Sequence, residues 1–253
     1  MIWLWRLPVI ALLTVLTLTG GIAWLIAIVF ASRRTIGTFL IVFAVAYTAL
    51  WGAARFAAPQ FNRTAIPCID NGPTRARALN PLFCLMNRTY VSNELADLTD
   101  ALATHMHDQF PGSRVRVLDG GFPVFNIPLL PHLSHNNGNQ LDLDFWYEGG
   151  NWRSPIGYWA FEQPRPQDPQ LCDETDGFTL RWNMTALQPW MRDLALDEAR
   201  TAEAVRWLAA NLPENGKLFI EPHLADRLAV TGDKIRFQGC NAARHDDHIH
   251  IQL

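Results

Sequence analysis

Two stretches of this chain concentrate residues that bind metals and move protons. The first is Pro131-His132-Leu133-Ser134-His135-Asn136-Asn137-Gly138-Asn139-Gln140-Leu141-Asp142-Leu143-Asp144-Phe145, and the second is Arg244-His245-Asp246-Asp247-His248-Ile249-His250-Ile251-Gln252-Leu253. Together they hold five of the chain's eight histidines, where a uniform spread would put fewer than one in their cores. Side chains on a strand alternate between two faces. Leu141, Leu143 and Phe145 therefore share one face, with Asp142 and Asp144 on the other. In the second stretch Ile249, Ile251 and Leu253 share a face, opposite His248 and His250. Pairing two such strands would bring carboxylates and imidazoles together, with His135 closing over them from a loop.

That combination suits a metal. Imidazole and carboxylate both ligate Zn²⁺ at about 2.0–2.2 Å, and a catalytic zinc uses three protein ligands with one position left for water. His135, Asp142 and His250 are the minimal set. His248 and His245 remain to exchange protons with the water or the leaving group, His248 as the base and acid and His245 beside the developing oxyanion. Asp144 and His132 are candidates to orient a ligand imidazole or to contact substrate. Two histidines and a carboxylate also form the facial triad of non-haem iron oxygenases; the surplus histidines speak against that reading.

The pattern His-x-Ser-His-x-x-Gly-x-x-x-Asp-x-Asp, followed by His-Asp-Asp-His-x-His, resembles the penicillin-insensitive murein endopeptidases of the lysostaphin/D-Ala-D-Ala metallopeptidase group. The resemblance spans about residues 115–253, with weaker matches at Leu180-Arg181-Trp182-Asn183, at Trp190 and at Leu218-Phe219-Ile220-Glu221-Pro222. It implies the same three ligands, with active-site histidines at His245 and His248 and an upstream histidine at His132. It also implies zinc-dependent hydrolysis of the D-alanyl–diaminopimelyl cross-link of peptidoglycan. The loop Asn136-Asn137-Gly138-Asn139-Gln140 departs from the family wording, and the apolar N-terminal region is foreign to its soluble members. A D,D-carboxypeptidase or dipeptidase of the same group is the alternative, and a non-catalytic, metal-containing cell-wall binding domain is a further one.

The elements that must position these residues are legible to different degrees. Ser92 caps an expected helix through Gln109, with Leu95, Leu98, Leu102 and Met106 at helical spacing; His105 and His107 there read as packing or surface residues. Arg114-Val115-Arg116-Val117 alternates as a strand, and the strand bearing Asp142 is expected over 140–147. Residues 148–178 are rich in Gly, Pro and aromatics. Trp146, Tyr147, Trp152, Tyr158, Trp159 and Phe161 are candidates either to line a cleft or simply to pack a loop. A helix begins at Asp197 or Glu198 and stops before Pro213 and Gly216. A strand at 217–221, a short helix near 224–228 with His223 as a surface or cap residue, and a short strand at 234–237 follow. The fold class expected is α+β, a small, mainly antiparallel sheet with flanking helices.

The remaining sequence bounds the setting. A net charge of −3 with 18% charged residues gives no reason to expect a nucleic-acid partner. Charge is absent from 7–32 and again from 35–54, each long enough for a bilayer core that needs about 20 residues. With Arg33-Arg34 between them, residues 1–54 read as a two-helix transmembrane hairpin rather than a cleaved leader. Residues 55–90, broken by Pro59, Pro67, Pro73 and Pro81, read as an irregular, disulfide-tied linker, and 91–253 as the zinc peptidase domain. The arginines near the spans leave orientation balanced. Four cysteines, Cys68, Cys84, Cys172 and Cys240, with no close pair, point to two disulfides and an oxidising compartment. Three pairings are open, Cys68–Cys84 with Cys172–Cys240 being favoured. The expectation is a bacterial inner-membrane protein with a periplasmic catalytic domain and a peptidoglycan substrate; any membrane-protein partner is unidentified.

Overall fold

A computed structural model describes residues 6–31, 33–130, 132–149, 157–158, 161–168, 172, 181, 189–190 and 194–253. The elements in chain order are α1 (Arg6–Thr17), α2 (Gly20–Ala31), α3 (Ile36–Ala57), β1 (Thr64–Ala65), β2 (Arg77–Ala78), α4 (Pro81–Leu85), β3 (Tyr90–Val91) and α5 (Asn93–Gln109). They continue with β4 (Arg116–Val117), β5 (Gln140–Asp144), α6 (Glu198–Asn211), β6 (Lys217–Phe219), α7 (Pro222–Arg227), β7 (Ile235–Arg236) and β8 (His248–Gln252).

A six-stranded sheet in the order β2-β4-β5-β8-β6-β7 carries the fold. Its central strands pair antiparallel, while both edge pairs, β2 with β4 and β6 with β7, run parallel. The fold is thus α+β with a small, mainly antiparallel sheet. β5 and β8 pair over their whole length, Leu141 opposite Ile251, Asp142 opposite His250, Leu143 opposite Ile249 and Asp144 opposite His248. The apolar face is buried under α5 and α6, where Leu141, Leu143, Ile249 and Ile251 join Leu95, Leu102, Met106, Val205 and Leu208 in one core. A one-residue slip would turn the imidazoles into that core and the isoleucines out. The hydrophobic face therefore sets the register that builds the polar one.

The helix ends follow the sequence cues. The Ser92 hydroxyl accepts from the Leu95 N–H at 3.3 Å, and the Asp197 carboxylate accepts from the Arg200 N–H at 3.0 Å. Strands are shorter than the alternation suggests: β5 stops at Asp144, beyond which the backbone of 146–148 pairs with 195–197 instead of with β8. Residues 55–90 are also more ordered than their prolines imply. Pro81 sits at the first turn of α4, where its missing N–H costs nothing, and β2 completes one edge of the main sheet. Both expected disulfides are present, Cys68–Cys84 and Cys172–Cys240.

The apolar N-terminal region departs from two equal spans. The uncharged stretch 7–32 breaks at Leu18, which adopts a left-handed φ of 65°, into α1 and α2 of 12 residues each. At 1.5 Å per residue each reaches only about 18 Å. A Cβ on Gly21 would stand 2.8 Å from the Ile10 carbonyl, so glycine there lets α1 lie against α2. Only α3 with its following turn, Ile36–Phe61, is long and apolar enough among the described residues to cross a membrane. Trp24 of α2 packs edge-on against Phe39 and Phe43 of α3 at 4.8 and 5.5 Å.

Candidate metal centre

The loop leading into β5 delivers His135, and two constraints hold that loop. Gly138 has a φ of 78°, and a Cβ there would lie 2.6 Å from the Arg63 Nε, so the position admits glycine alone without rearrangement. Its carbonyl accepts from the Ser92 N–H at 2.8 Å, tying the loop to the start of α5. The fully buried His135 ring then meets the Gly120 carbonyl through Nδ1 at 2.6 Å. Donation of the Nδ1 proton to that carbonyl leaves the Nε2 lone pair aimed at the sheet.

Across the sheet, His135 Nε2, Asp142 Oδ1 and His250 Nδ1 converge. The imidazole nitrogens are 3.2 Å apart, His135 Nε2 is 3.2 Å from the carboxylate oxygen, and His250 Nδ1 is 2.7 Å from it. Tetrahedral bonds of about 2.0–2.2 Å place donor atoms roughly 3.3–3.6 Å apart. The trio therefore needs only a small widening to accept an ion. All three residues are buried. The donor set is the nitrogen and oxygen set that divalent metals take.

More donors surround the trio. His132 Nδ1 approaches Asp142 Oδ2 at 2.9 Å, and His248 Nε2 stands 3.6 Å from Asp142 Oδ1. The described residues thus contain two groups able to hold an ion, His132 with His135 and Asp142, and His245 with His248 and His250. They meet at the Asp142–His250 pair. The Nε2 atoms of His248 and His250 are buried and have no hydrogen-bond partner among the described residues.

Residues to which the sequence assigns no part in holding the cluster keep this arrangement in place. Tyr158 donates its hydroxyl to Asp142 Oδ2 at 2.7 Å and lies 3.1 Å from Asp119 Oδ2. Asp119 is gripped by both ends of the buried Arg88 guanidinium at 2.6 and 2.7 Å. Asp247 takes the His248 Nδ1 proton at 2.6 Å. Its place beside the histidine motif hinted at this role; Asp119 and Arg88 carried no local signal, since they reach the site only through the fold. Asp144 is buried opposite His248, and the backbone carbonyl of Gly120 meets the His135 ring.

His245 stacks on Phe219 with ring centres 5.8 Å apart and lies 5.0 Å from the His248 ring. His223 is buried rather than exposed, its Nε2 against the Glu162 carbonyl at 2.6 Å, because α7 packs it inward. His105 meets Glu203 at 2.8 Å and stacks on Trp207. Of the aromatic candidates, Trp146 and Tyr147 are core, while Tyr158 and Phe161 line the cavity above the cluster; Trp152 and Trp159 lie outside the described residues, as do Leu180, Trp182 and Asn183. Arg181 pairs with Glu221 at 2.6 and 3.2 Å.

In the metal-free protein the charges sort themselves. Burial would raise Asp142, but His135, His248 and His132 hold its carboxylate well below the usual range. Burial would lower His248, yet Asp142 and Asp247 win and push it up to about 9. The same contest raises His135, through Asp142. His250 is pushed down to about 4, chiefly by burial, and His245 well below its ordinary value by burial and by His248 and His250. Neighbouring imidazoles with pKa values driven apart can give and take a proton at one place.

A cavity of about 450 Å³ opens onto the cluster, with His132, Tyr158, Asp247 and His248 at its floor. Compared with known proteins, the chain matches no family model and no curated sequence.

Proposed function

We propose that this chain is a membrane-anchored zinc peptidase that hydrolyses amide bonds in peptidoglycan stem peptides, in the manner of a murein D-alanyl–diaminopimelate endopeptidase. The observation that carries the proposal is the meeting of His135 Nε2, Asp142 Oδ1 and His250 Nδ1 beside a cavity, with a His248 whose Nε2 has no hydrogen-bond partner among the described residues. Zinc fits this donor set, and when bound it polarises a carbonyl and lowers the pKa of a water towards about 7. A metal ion on Asp142 would offset the carboxylate charge that holds His248 protonated without it, freeing His248, its Nδ1 held by Asp247, to take a proton from the attacking water and return it to the leaving nitrogen. The neutral His245 lies beside it, where it can donate a hydrogen bond to a developing oxyanion. Tyr158 steadies the ligand carboxylate. The anchor is α3, with α2 packed along it, and the disulfides suit a periplasmic placement.

The test uses the full chain in detergent, loaded with zinc, on cross-linked muropeptide dimers. Conversion to monomers that EDTA, His135→Ala or His248→Ala abolishes is the expected result. Release of terminal D-alanine with intact dimers would assign the carboxypeptidase activity instead. Dimers and terminal residues both surviving metal-loaded protein would reject the hydrolase.

One observation favours a second reading, a closed structural metal site: His248 Nε2 lies near enough to Asp142 to serve as a fourth ligand. In that case His248→Ala would weaken zinc binding as severely as His135→Ala. The hydrolase reading expects His248→Ala to lose turnover and keep its metal.

A further inference from the structure

The metal cavity is tied to the apolar helices at three points. Tyr47 of α3 donates to the Leu85 carbonyl at 2.5 Å, and Trp51 donates its indole N–H to the Cys84 carbonyl at 2.9 Å. The buried Asn87 donates to the Thr17 carbonyl at 3.1 Å and meets the Thr19 hydroxyl at 3.2 Å, at the α1–α2 turn. The partners of these bonds belong to α4 and the turn after it, and the same segment supplies Leu82, Phe83 and Met86 to the cavity wall. Leu16 of α1 lines the same cavity.

These ties fix the height of the cavity on α3. From Ile36 to Arg55 the helix rises about 29 Å at 1.5 Å per residue, close to the roughly 30 Å of a hydrocarbon core. Tyr47 lies eight residues before Arg55, about 12 Å further in, and Trp51 about 6 Å. If α3 crosses a bilayer, α4 cannot stay in bulk water, because its carbonyls are bonded to side chains at those depths.

The surface of that segment suits such a place. Leu82, Leu85, Leu130 and Leu133, on α4 and around the cavity mouth, are 50, 55, 41 and 52% exposed, and Phe125 is 59% exposed. Isolated exposed leucines need no explanation, but Leu82, Leu130 and Leu133 border one opening, and Leu85, on the same short helix as Leu82, is bonded through its carbonyl to Tyr47 of α3. No charged side chain stands on α4 itself.

We infer that the lip of the metal cavity at Leu82 and Leu133, with the adjoining Leu85 of α4, is a lipid-contact surface seated in the interface of the membrane that α3 crosses. The inference rests on the proposed spanning role of α3 and is independent of the proposed hydrolysis. Its consequence is that a substrate reaches the metal centre along the membrane surface rather than from open solvent.

The experiment uses the full chain in nanodiscs of phosphatidylethanolamine and phosphatidylglycerol. The four cysteines are all disulfide-bonded, so one added thiol takes a nitroxide label selectively. Labels go at Leu82→Cys, Leu85→Cys and Leu133→Cys, with Val45→Cys on the exposed face of α3 as the lipid reference and Glu214→Cys as the aqueous one. Retained zinc uptake certifies the fold of each variant. Collision with oxygen and with a nickel chelate reports depth. The expected result is oxygen-dominated relaxation at the three lip sites, as at Val45, and nickel-dominated relaxation at Glu214. Lip labels that match Glu214 while Val45 stays in lipid would overturn the inference and leave the anchor standing. A water-exposed Val45 would remove the spanning helix and the inference together, with the muropeptide assay still able to succeed.

Discussion

Asp247→Asn should shift the titration of His248, and the structure sets the size. Burial would lower that ring, and two carboxylates chiefly oppose it, Asp142 at 3.6 Å from Nε2 and Asp247 at 2.6 Å from Nδ1, with Asp246 behind them. They raise its pKa from 6.5 to about 9 in the metal-free protein. The difference corresponds to about 3 kcal/mol favouring the folded, protonated form. Because the folded pKa is the higher one, this stabilisation is complete below about pH 6.5 and is lost as the pH rises through about 9. Asparagine keeps an acceptor for Nδ1–H but removes the charge, roughly halving a charge-assisted hydrogen bond worth about 1.5–3 kcal/mol. His248 should therefore titrate about one unit lower in the variant. The assay is a pH titration of the histidine ring signals in EDTA-treated protein, paired with denaturant unfolding near both ends of that pH window. In the native protein His248's contribution should fall by about 3 kcal/mol across the window, and in the variant by about 2 kcal/mol. An unchanged His248 pKa in Asp247→Asn would refute the role given to Asp247. A native His248 titrating at or below the ordinary imidazole value would refute the field attributed to both carboxylates.

Two other perturbations follow from the same geometry. Tyr158→Phe removes the hydroxyl that fixes Asp142 Oδ2 and leaves the Arg88–Asp119 pair intact, so zinc affinity should fall about 10–100-fold; competition with a chromophoric chelator would show it, and an unaltered affinity would dismiss the support role. Replacing Cys172 and Cys240 together with serine opens a crosslink between residues 68 apart, which should cost about 4 kcal/mol on the chain-entropy account. Thermal unfolding reads the loss, and a melting temperature equal to the native one would show that the bridge does not constrain the unfolded chain.

The site's core was legible because strand alternation is a short-range property. Leu141, Leu143, Ile249 and Ile251 announce a buried face, and once that face is down, Asp142 and His250 have only one side to occupy. Ser92, Asp197 and the proline and glycine after α6 marked helix ends for equally local reasons. Even the disulfide pairing was within reach, since four cysteines leave few options.

What the chain alone left open is whatever depends on long-range closure. Nothing local to Arg88 or Asp119 says that they will brace the Asp142 carboxylate through Tyr158; only the folded sheet brings these positions together. His223 reads from sequence as a surface or cap residue; it lies in the first turn of α7, and tertiary packing buries it. The prolines of 55–90 suggested a linker, but backbone pairing with β4 and side-chain bonds to α3 made it part of the sheet and of the cavity wall. The uncharged run 7–32 had length enough for a span, yet the turn at Leu18 and its bonds to Asn87 divide it. Hydrophobicity along a chain is additive and can be read residue by residue. Where an apolar segment bends, and what it bends around, is decided by partners far away in sequence.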